Sequence, residues 1–314
     1  MTGANGFLGR HLVDRLNQHG VIIHAVSRSI PPSANGVRWV QGDLTDGDWV
    51  QELVTRIKPE VIYQLASASQ GGPDSQFVLP TFDNDLRSTV NVLLAAKTCG
   101  CNRVILAASL EEPVHDGRPI TISSPYAAAK ASCTYYGLMF HQLYGVPVTL
   151  LRLFMTYGPG QKVHKLIPYS ILSLLKGEPP RISSGLRMVD WVYVQDVIGA
   201  FVSAAVRPEV VGTVIDLGSG CLVPVREVVN EIHRLIPRSP APLLGALPDR
   251  MMETVRCADT EFATRILNWK ATTALPDGLS QTIEWYRERL LDTSNASGAR
   301  KKTRESFSLA SASG

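Results

Sequence analysis

The sequence predicts an α/β protein, a doubly wound parallel sheet with a smaller interleaved α/β lobe. Two observations lead there. Short apolar runs alternate with helical stretches through the first 220 residues, and that rhythm builds a parallel sheet covered by helices on both faces. The runs are continuously apolar rather than alternating, as strands buried on both sides are.

The chain opens MTGANGFLG, a glycine loop leading straight into a helix over Phe7–His19. Such a loop belongs between a buried strand and a helix, the Rossmann-like arrangement, yet only Met1 and Thr2 precede it. The first strand is therefore read as truncated, with some five to eight residues expected ahead of Met1. Strands follow at 21–27, 37–41, 60–66, 102–108, 146–154 and 212–218. Helices are expected between them at Asp46–Ile57, Thr81–Thr98, Pro125–Leu143 and Val194–Ala205. After Gly158 the rhythm loosens. Helices at Leu166–Leu175, Val225–Ile236, Asp259–Leu267 and Leu275–Leu291 are assigned to the smaller lobe, about 159–189 and 221–291. The larger domain takes 1–158 and about 190–220. Residues 292–314 have little apolar content and read as a disordered tail.

Of the 314 residues 45% are apolar and 19% charged, and the net charge is +3. Beyond Leu291, Arg300, Lys301, Lys302 and Arg304 oppose only Asp292 and Glu305, so most of that charge lies in the tail. A near-neutral body argues against nucleic acid as the main partner. Five scattered cysteines form no CxxC pair and no zinc-ligand cluster, so no metal is expected and a reducing compartment suits them. No apolar run reaches membrane-spanning length and no signal peptide is visible, giving the expectation of a cytoplasmic protein without membrane contact.

Three patterns carry chemistry. Gly3, Gly6 and Gly9 permit a tight turn, close approach to a pyrophosphate and close helix packing. The free N–H groups of the following helix would face the phosphates. Three glycines also serve a plain turn, and a lone Tyr-x-x-x-Lys also fits any amphipathic helix. Here, however, Tyr126 and Lys130 stack at i and i+4 on a helix that follows a glycine loop and a strand ending at Ser109. Hydride transfer at a carbinol needs a group that takes or gives the hydroxyl proton. A tyrosine with pKa about 10 serves near neutrality if a cation such as Lys130 lowers it. Ser109 would hold the substrate oxygen.

Together these residues resemble the extended short-chain dehydrogenase/reductase family, in its nucleotide-sugar epimerase, dehydratase and ketoreductase branch. The resemblance spans roughly residues 1–290 and rests also on GDLTD (42–46), RLFMTYGPGQ (152–161), DWVYVQDV (190–197) and LNWKATTALPDGLSQTIEWYR (267–287). It implies catalysis by Ser109, Tyr126 and Lys130. The cofactor would lie against Gly3, Asn5, Gly6, Phe7, Leu8 and Gly9, with Asp43 and Leu44 at the adenine and Ala66 lining the site. Tyr126 and Lys130 would also touch it. Where NAD users of the family place an acid, this chain has Ser27-Arg28, so NADP(H) is favoured over NAD(H). The resemblance further implies a homodimer paired through the Tyr/Lys helix and the Thr89–Lys97 segment.

Ser109-Leu110-Glu111 aligns with the triplet that separates the subfamilies. Leu110 neither donates nor accepts a proton, which argues against 4,6-dehydration. The preferred reading is an NDP-4-keto-hexose reductase. An NDP-sugar 4-epimerase with retained nicotinamide is the alternative, and a non-catalytic NADP-binding sensor is the rival from another class. In the lobe, the family's asparagine in RxFN is Met155, and the arginine before Asp190 is Val189. Glu111, Arg187 and Arg250 are the remaining candidates for contact with a nucleotide-diphosphate sugar.

Overall fold

The computed structural model describes residues 1–30, 36–68, 72–114, 117, 119–249, 252 and 255–291. The described residues form two compact units. The larger comprises Met1–Tyr157, Leu186–Pro224 and Asp249–Thr273; the smaller comprises Gly158–Gly185, Val225–Pro248 and the described residues from Ala274 on.

The larger unit is built on a parallel sheet. In chain order its first elements are α1 (Phe7–Gln18), β1 (Ile23–Ser27), β2 (Val37–Gln41), α2 (Gly47–Ile57) and β3 (Val61–Gln64). After α3 (Val78–Thr81) and a π-helical stretch over Phe82–Arg87 come α4 (Ser88–Cys99), β4 (Arg103–Ser109), α5 (Pro125–Tyr144) and β5 (Val148–Leu153). One edge pair is β1–β2, and the other piece runs β3-β4-β5-β8, with β8 at Val214–Leu217. Every pairing among these is parallel.

Thr2 links the two pieces through single parallel bridges to Val26 and Gln64. Its amide donates to the Tyr63 carbonyl at 2.9 Å, while Val26 N–H donates to the Met1 carbonyl at 2.8 Å. The place between β1 and β3 is thus held by two residues. The Thr2 hydroxyl accepts from the amides of Leu65 and Ala66, both at 3.1 Å, and donates to Gln64 Oε1 at 2.6 Å.

Period two sorts the strand side chains between the faces. Ile62, Val104, Leu106 and Leu150 form one core with Val50 and Val54 of α2, Val92 and Leu93 of α4, and Phe140 of α5. Full burial of each such side chain stabilises by about 1.5–3 kcal/mol. Gly137 lets α5 lie close to the sheet, since a Cβ there would stand 2.8 Å from Leu106 Cδ1. Local signals set the helix ends: the Ser124 hydroxyl accepts from Ala127 N–H ahead of Pro125, and Gly145, at φ 69°, ends α5.

The strand expected over 146–154 is β5, and a further short strand follows it. β5 ends at Leu153, and β6 (Met155–Tyr157) leaves it to pair with β7 (Met188–Tyr193), which pairs antiparallel with β9 (Leu222–Pro224). Helix α7 (Val194–Val206) follows β7 directly. The smaller unit holds α6 (Leu166–Leu175), α8 (Val225–Leu235) and a helix over 275–291. There Ile182 N–H donates to the Leu243 carbonyl and Leu243 N–H to that of Pro180.

Residues 249–273, assigned from sequence to the smaller lobe, group with the larger unit, including α9 (Thr260–Leu267). The reason is Asp190, 1% exposed on β7. Its carboxylate accepts from Ser219 N–H and hydroxyl, Gly220 N–H and Ala258 N–H at 2.6–3.1 Å. It thereby ties β7, the β8–β9 turn and the entry to α9 together. The expected tail at 292–314 lies outside the described residues. Asp190→Asn presents an amide to donors that need an acceptor, so it is expected to destabilise by about 2–4 kcal/mol, read as a lower urea unfolding midpoint. An unchanged midpoint would refute this account of the 249–273 segment.

Candidate active site

The C-terminal ends of parallel strands form the crevice where such sheets bind ligands, and there the larger unit brings Ser109, Tyr126 and Lys130 together. Ser109 is the last residue of β4. Tyr126 lies in the first turn of α5, where Ser109 and Lys130 both act on its phenol. Lys130, one turn later, is 6% exposed, donates to the Ala107 carbonyl at 2.7 Å, and lies 5.9 Å from the centroid of the Tyr126 ring. Serine orientation is set locally, because its hydroxyl oxygen accepts from Glu111 N–H at 3.2 Å. Its own amide donates to Glu112 Oε1 at 2.8 Å.

Electrostatics here differ from the sequence expectation. Burial pushes the Tyr126 phenol above its usual value, with Asp85 and Glu111 adding to the rise. The lowering by Lys130 and Ser109 does not offset this. Burial acts downward on the Lys130 ammonium, but the facing Tyr126, Asp85, Cys133 and Glu112 outweigh it and raise its pKa. In the protein alone the tyrosine therefore holds its proton more tightly than a free phenol, and Lys130 stays charged.

Behind Ser109 lies a neutral cluster of four charges. Glu112 Oε2 accepts from Thr134 Oγ1 at 3.0 Å and stands 3.5 Å from Arg152, which pairs with Asp216 at 2.8 Å. Arg256 approaches the other Asp216 oxygen at 3.3 Å. Buried pairs of this kind add little net stability, but Glu112 fixes the spacing of β4 and α5 by holding Ser109 and Thr134 at once.

The expected cofactor residues converge on the same sheet edge. A Cβ on Gly3 would meet Ala66 N at 2.7 Å, and one on Gly9 would meet the Gly3 carbonyl oxygen at 2.2 Å. The loop therefore admits no side chain at either position. Helix α1 starts after Gly6 with no side-chain cap and no acid in its first turn, leaving N–H groups available around Phe7 and Leu8. This cradle fits a dinucleotide pyrophosphate. Asn5 Oδ1 accepts from Arg10 at 2.8 Å, and Asp43 accepts from the Thr45 amide and hydroxyl, both at 2.9 Å, which lowers its pKa. Leu44 is half-buried, with its carbonyl accepting from Asn91. Ser27 ends β1, and the exposed Arg28 donates to Asn84 at 3.3 Å.

Sequence reasoning passed over Asp85, which is 1% exposed and 3.9 Å from Lys130. The available signal was its spacing, since Asp85, Ser88, Thr89, Val92 and Ala96 form one buried stripe. Among the substrate candidates, Glu111 occupies the turn after β4 and Arg187 directly precedes β7, whereas Arg250 lies outside the described residues. Leu110 and Val189 are buried.

A sequence model described as the NAD dependent epimerase/dehydratase family matches residues 1–218. The chain belongs to this family. It is an enzyme, and its relatives are NAD-dependent nucleotide-sugar epimerases, dehydratases and reductases. The chain is 29% identical to a UDP-glucose 4-epimerase of Mycolicibacterium smegmatis, covering 92% of this chain and 98% of that protein. It is 27% identical to the Arabidopsis thaliana trifunctional UDP-glucose 4,6-dehydratase/UDP-4-keto-6-deoxy-D-glucose 3,5-epimerase/UDP-4-keto-L-rhamnose-reductase, of which it spans 48%. The solved structure of MoeE5 in complex with UDP-glucose and NAD is similar at 29% identity and TM-score 0.81, covering 92% of this chain and 98% of that one.

Proposed function

We propose that this enzyme inverts C4 of a nucleotide-diphosphate sugar by oxidation and re-reduction, as a 4-epimerase. The observation that carries the reading is the placement of Tyr126 one turn before the buried Lys130, whose ammonium stands 5.9 Å from its ring and is anchored to β4 two residues before Ser109. Relatives named as 4-epimerases support it over the reductase preferred from sequence alone. Buried Leu110 supplies no acid for loss of a hydroxyl, which argues against 4,6-dehydration.

The residues around the glycine loop, with Asp43, Leu44, Ala66, Ser27 and Arg28, would hold the nicotinamide dinucleotide, which when bound supplies the hydride acceptor and donor. Ser109 then holds the C4 hydroxyl oxygen, and Tyr126 takes the hydroxyl proton as the carbon is oxidised. After the keto sugar turns over, Tyr126 returns a proton to the oxygen as the other face is reduced. Lys130 stabilises the phenolate between these steps. Arg187 and Arg250 are the proposed diphosphate ligands. The raised Tyr126 pKa fixes the pH dependence: oxidation needs the deprotonated form and rises with pH, whereas reduction needs the protonated form and falls above that pKa.

The reductase remains the second reading, because Arg28 matches an NADP 2′-phosphate and a single reduction draws on that pool. We also propose that two copies pair through α4 and α5, whose outer faces expose Leu94, Tyr136, Leu143 and Tyr144; sedimentation as a single copy at micromolar concentration would overturn this. Arg28→Ala is expected to weaken NADP(H) binding about tenfold, one lost charge-assisted pair, and to leave NAD(H) unchanged; equal loss for both would remove the NADP reading. With UDP-glucose and UDP-glucuronate as probes, the enzyme is expected to form the C4 epimer without net consumption of dinucleotide. Tyr126→Phe should slow this about 10²–10⁴-fold, the range for a lost general acid–base. Net oxidation of NADPH by a 4-keto sugar, with no epimer formed, would favour the reductase.

A further inference from the structure

We infer that Asp85 is a positioning residue of the active site, the buried counter-ion whose charge offsets Lys130 and so sets how tightly Tyr126 holds its proton. The inference rests on the assignment of Tyr126 as the proton carrier, but it concerns a property measurable without substrate.

Three observations meet at this carboxylate. It is fully buried, with its side chain shielded from solvent, although carboxylates are seldom placed so unless paired. One oxygen is fastened, since Oδ2 accepts from Ala68 N–H at 3.2 Å. The other, Oδ1, has no hydrogen-bond partner and lies 3.9 Å from Lys130 Nζ. That separation is too long for a hydrogen bond but short for two charges removed from water, where their interaction is strong. Lys130 is itself fastened elsewhere, to the Ala107 carbonyl. The two charges are therefore fixed at a set spacing by separate backbone anchors.

The backbone explains how an acid arrives there. Asp85 sits in the π-helical stretch Phe82–Arg87, and such turns recur at functional sites. Its carbonyl accepts from Cys133 Sγ at 3.4 Å, which seats the stretch against α5 one turn beyond Lys130.

The remaining groups are distributed so that Asp85 decides the balance. Lys130 faces Tyr126 and Cys133 from its own helix, Asp85 from the π stretch, and Glu112 from the turn after β4. Glu112 is also engaged by Arg152 and Thr134. Tyr126 faces Lys130, Ser109, Asp85 and Glu111. Removing the Asp85 charge leaves the Lys130 cation less opposed, so the phenol releases its proton at lower pH.

The test is a tyrosinate absorbance titration of the full chain, with Tyr126→Phe subtracted to isolate Tyr126. Asp85→Asn, which keeps the shape and an acceptor for the Ala68 amide, is expected to move the Tyr126 transition down by about one unit, the scale of one nearby charge. If that variant does not fold, Asp85→Ser, read the same way, takes its place. A transition that stays put or moves up in a folded variant overturns the inference. Because no turnover is measured, the assignment of the reaction stands or falls separately.

Discussion

A charged ammonium buried beside a phenol must find an acceptor and an anion, and the architecture around Lys130 follows from that need. Its bond to the Ala107 carbonyl pins α5 to β4 two residues before Ser109, where the strand ends. Tyr126, one turn earlier on the same helix face, then lies beside the Lys130 ammonium. The Lys130 bond requires α5 to lie close, which the absent side chain of Gly137 and the small Ala127 and Ala129 permit. The helix start is held independently by Ser124.

The second constraint is at the chain's opening. Between β1 and β3, the Thr2 amide bonds Tyr63 and its hydroxyl collects the Leu65 and Ala66 amides. Those bonds set the end of β3 against Gly3, where a Cβ would meet Ala66 N at 2.7 Å.

The sheet strands and their helices were legible because burial on both faces demands continuous apolar runs, as in Arg103–Ser109 and Val148–Leu153. Ser109, Tyr126 and Lys130 were legible from spacing, although their electrostatics were not, since desolvation depends on what covers them. Asp85 escaped because an acid between Asn84 and Leu86 reads as surface charge, although it shares the buried stripe of Ser88, Thr89, Val92 and Ala96. The β6–β7–β9 sheet escaped because its outer strands are three residues long. The attachment of 249–273 rests on backbone amides meeting Asp190 and Asp216 together with the Arg256–Asp216 pair and the Trp269 and Thr272 bonds to Asp196, contacts far apart in sequence.

Isotope tracing tests the central claim most directly. Wild-type enzyme is supplied with UDP-glucose carrying deuterium at C4, and the product is read by NMR. Oxidation and re-reduction at one carbon, with Tyr126 moving only the hydroxyl proton, predicts an inverted C4 that still bears deuterium. Deuterium lost to solvent, or inversion at another carbon, would contradict it.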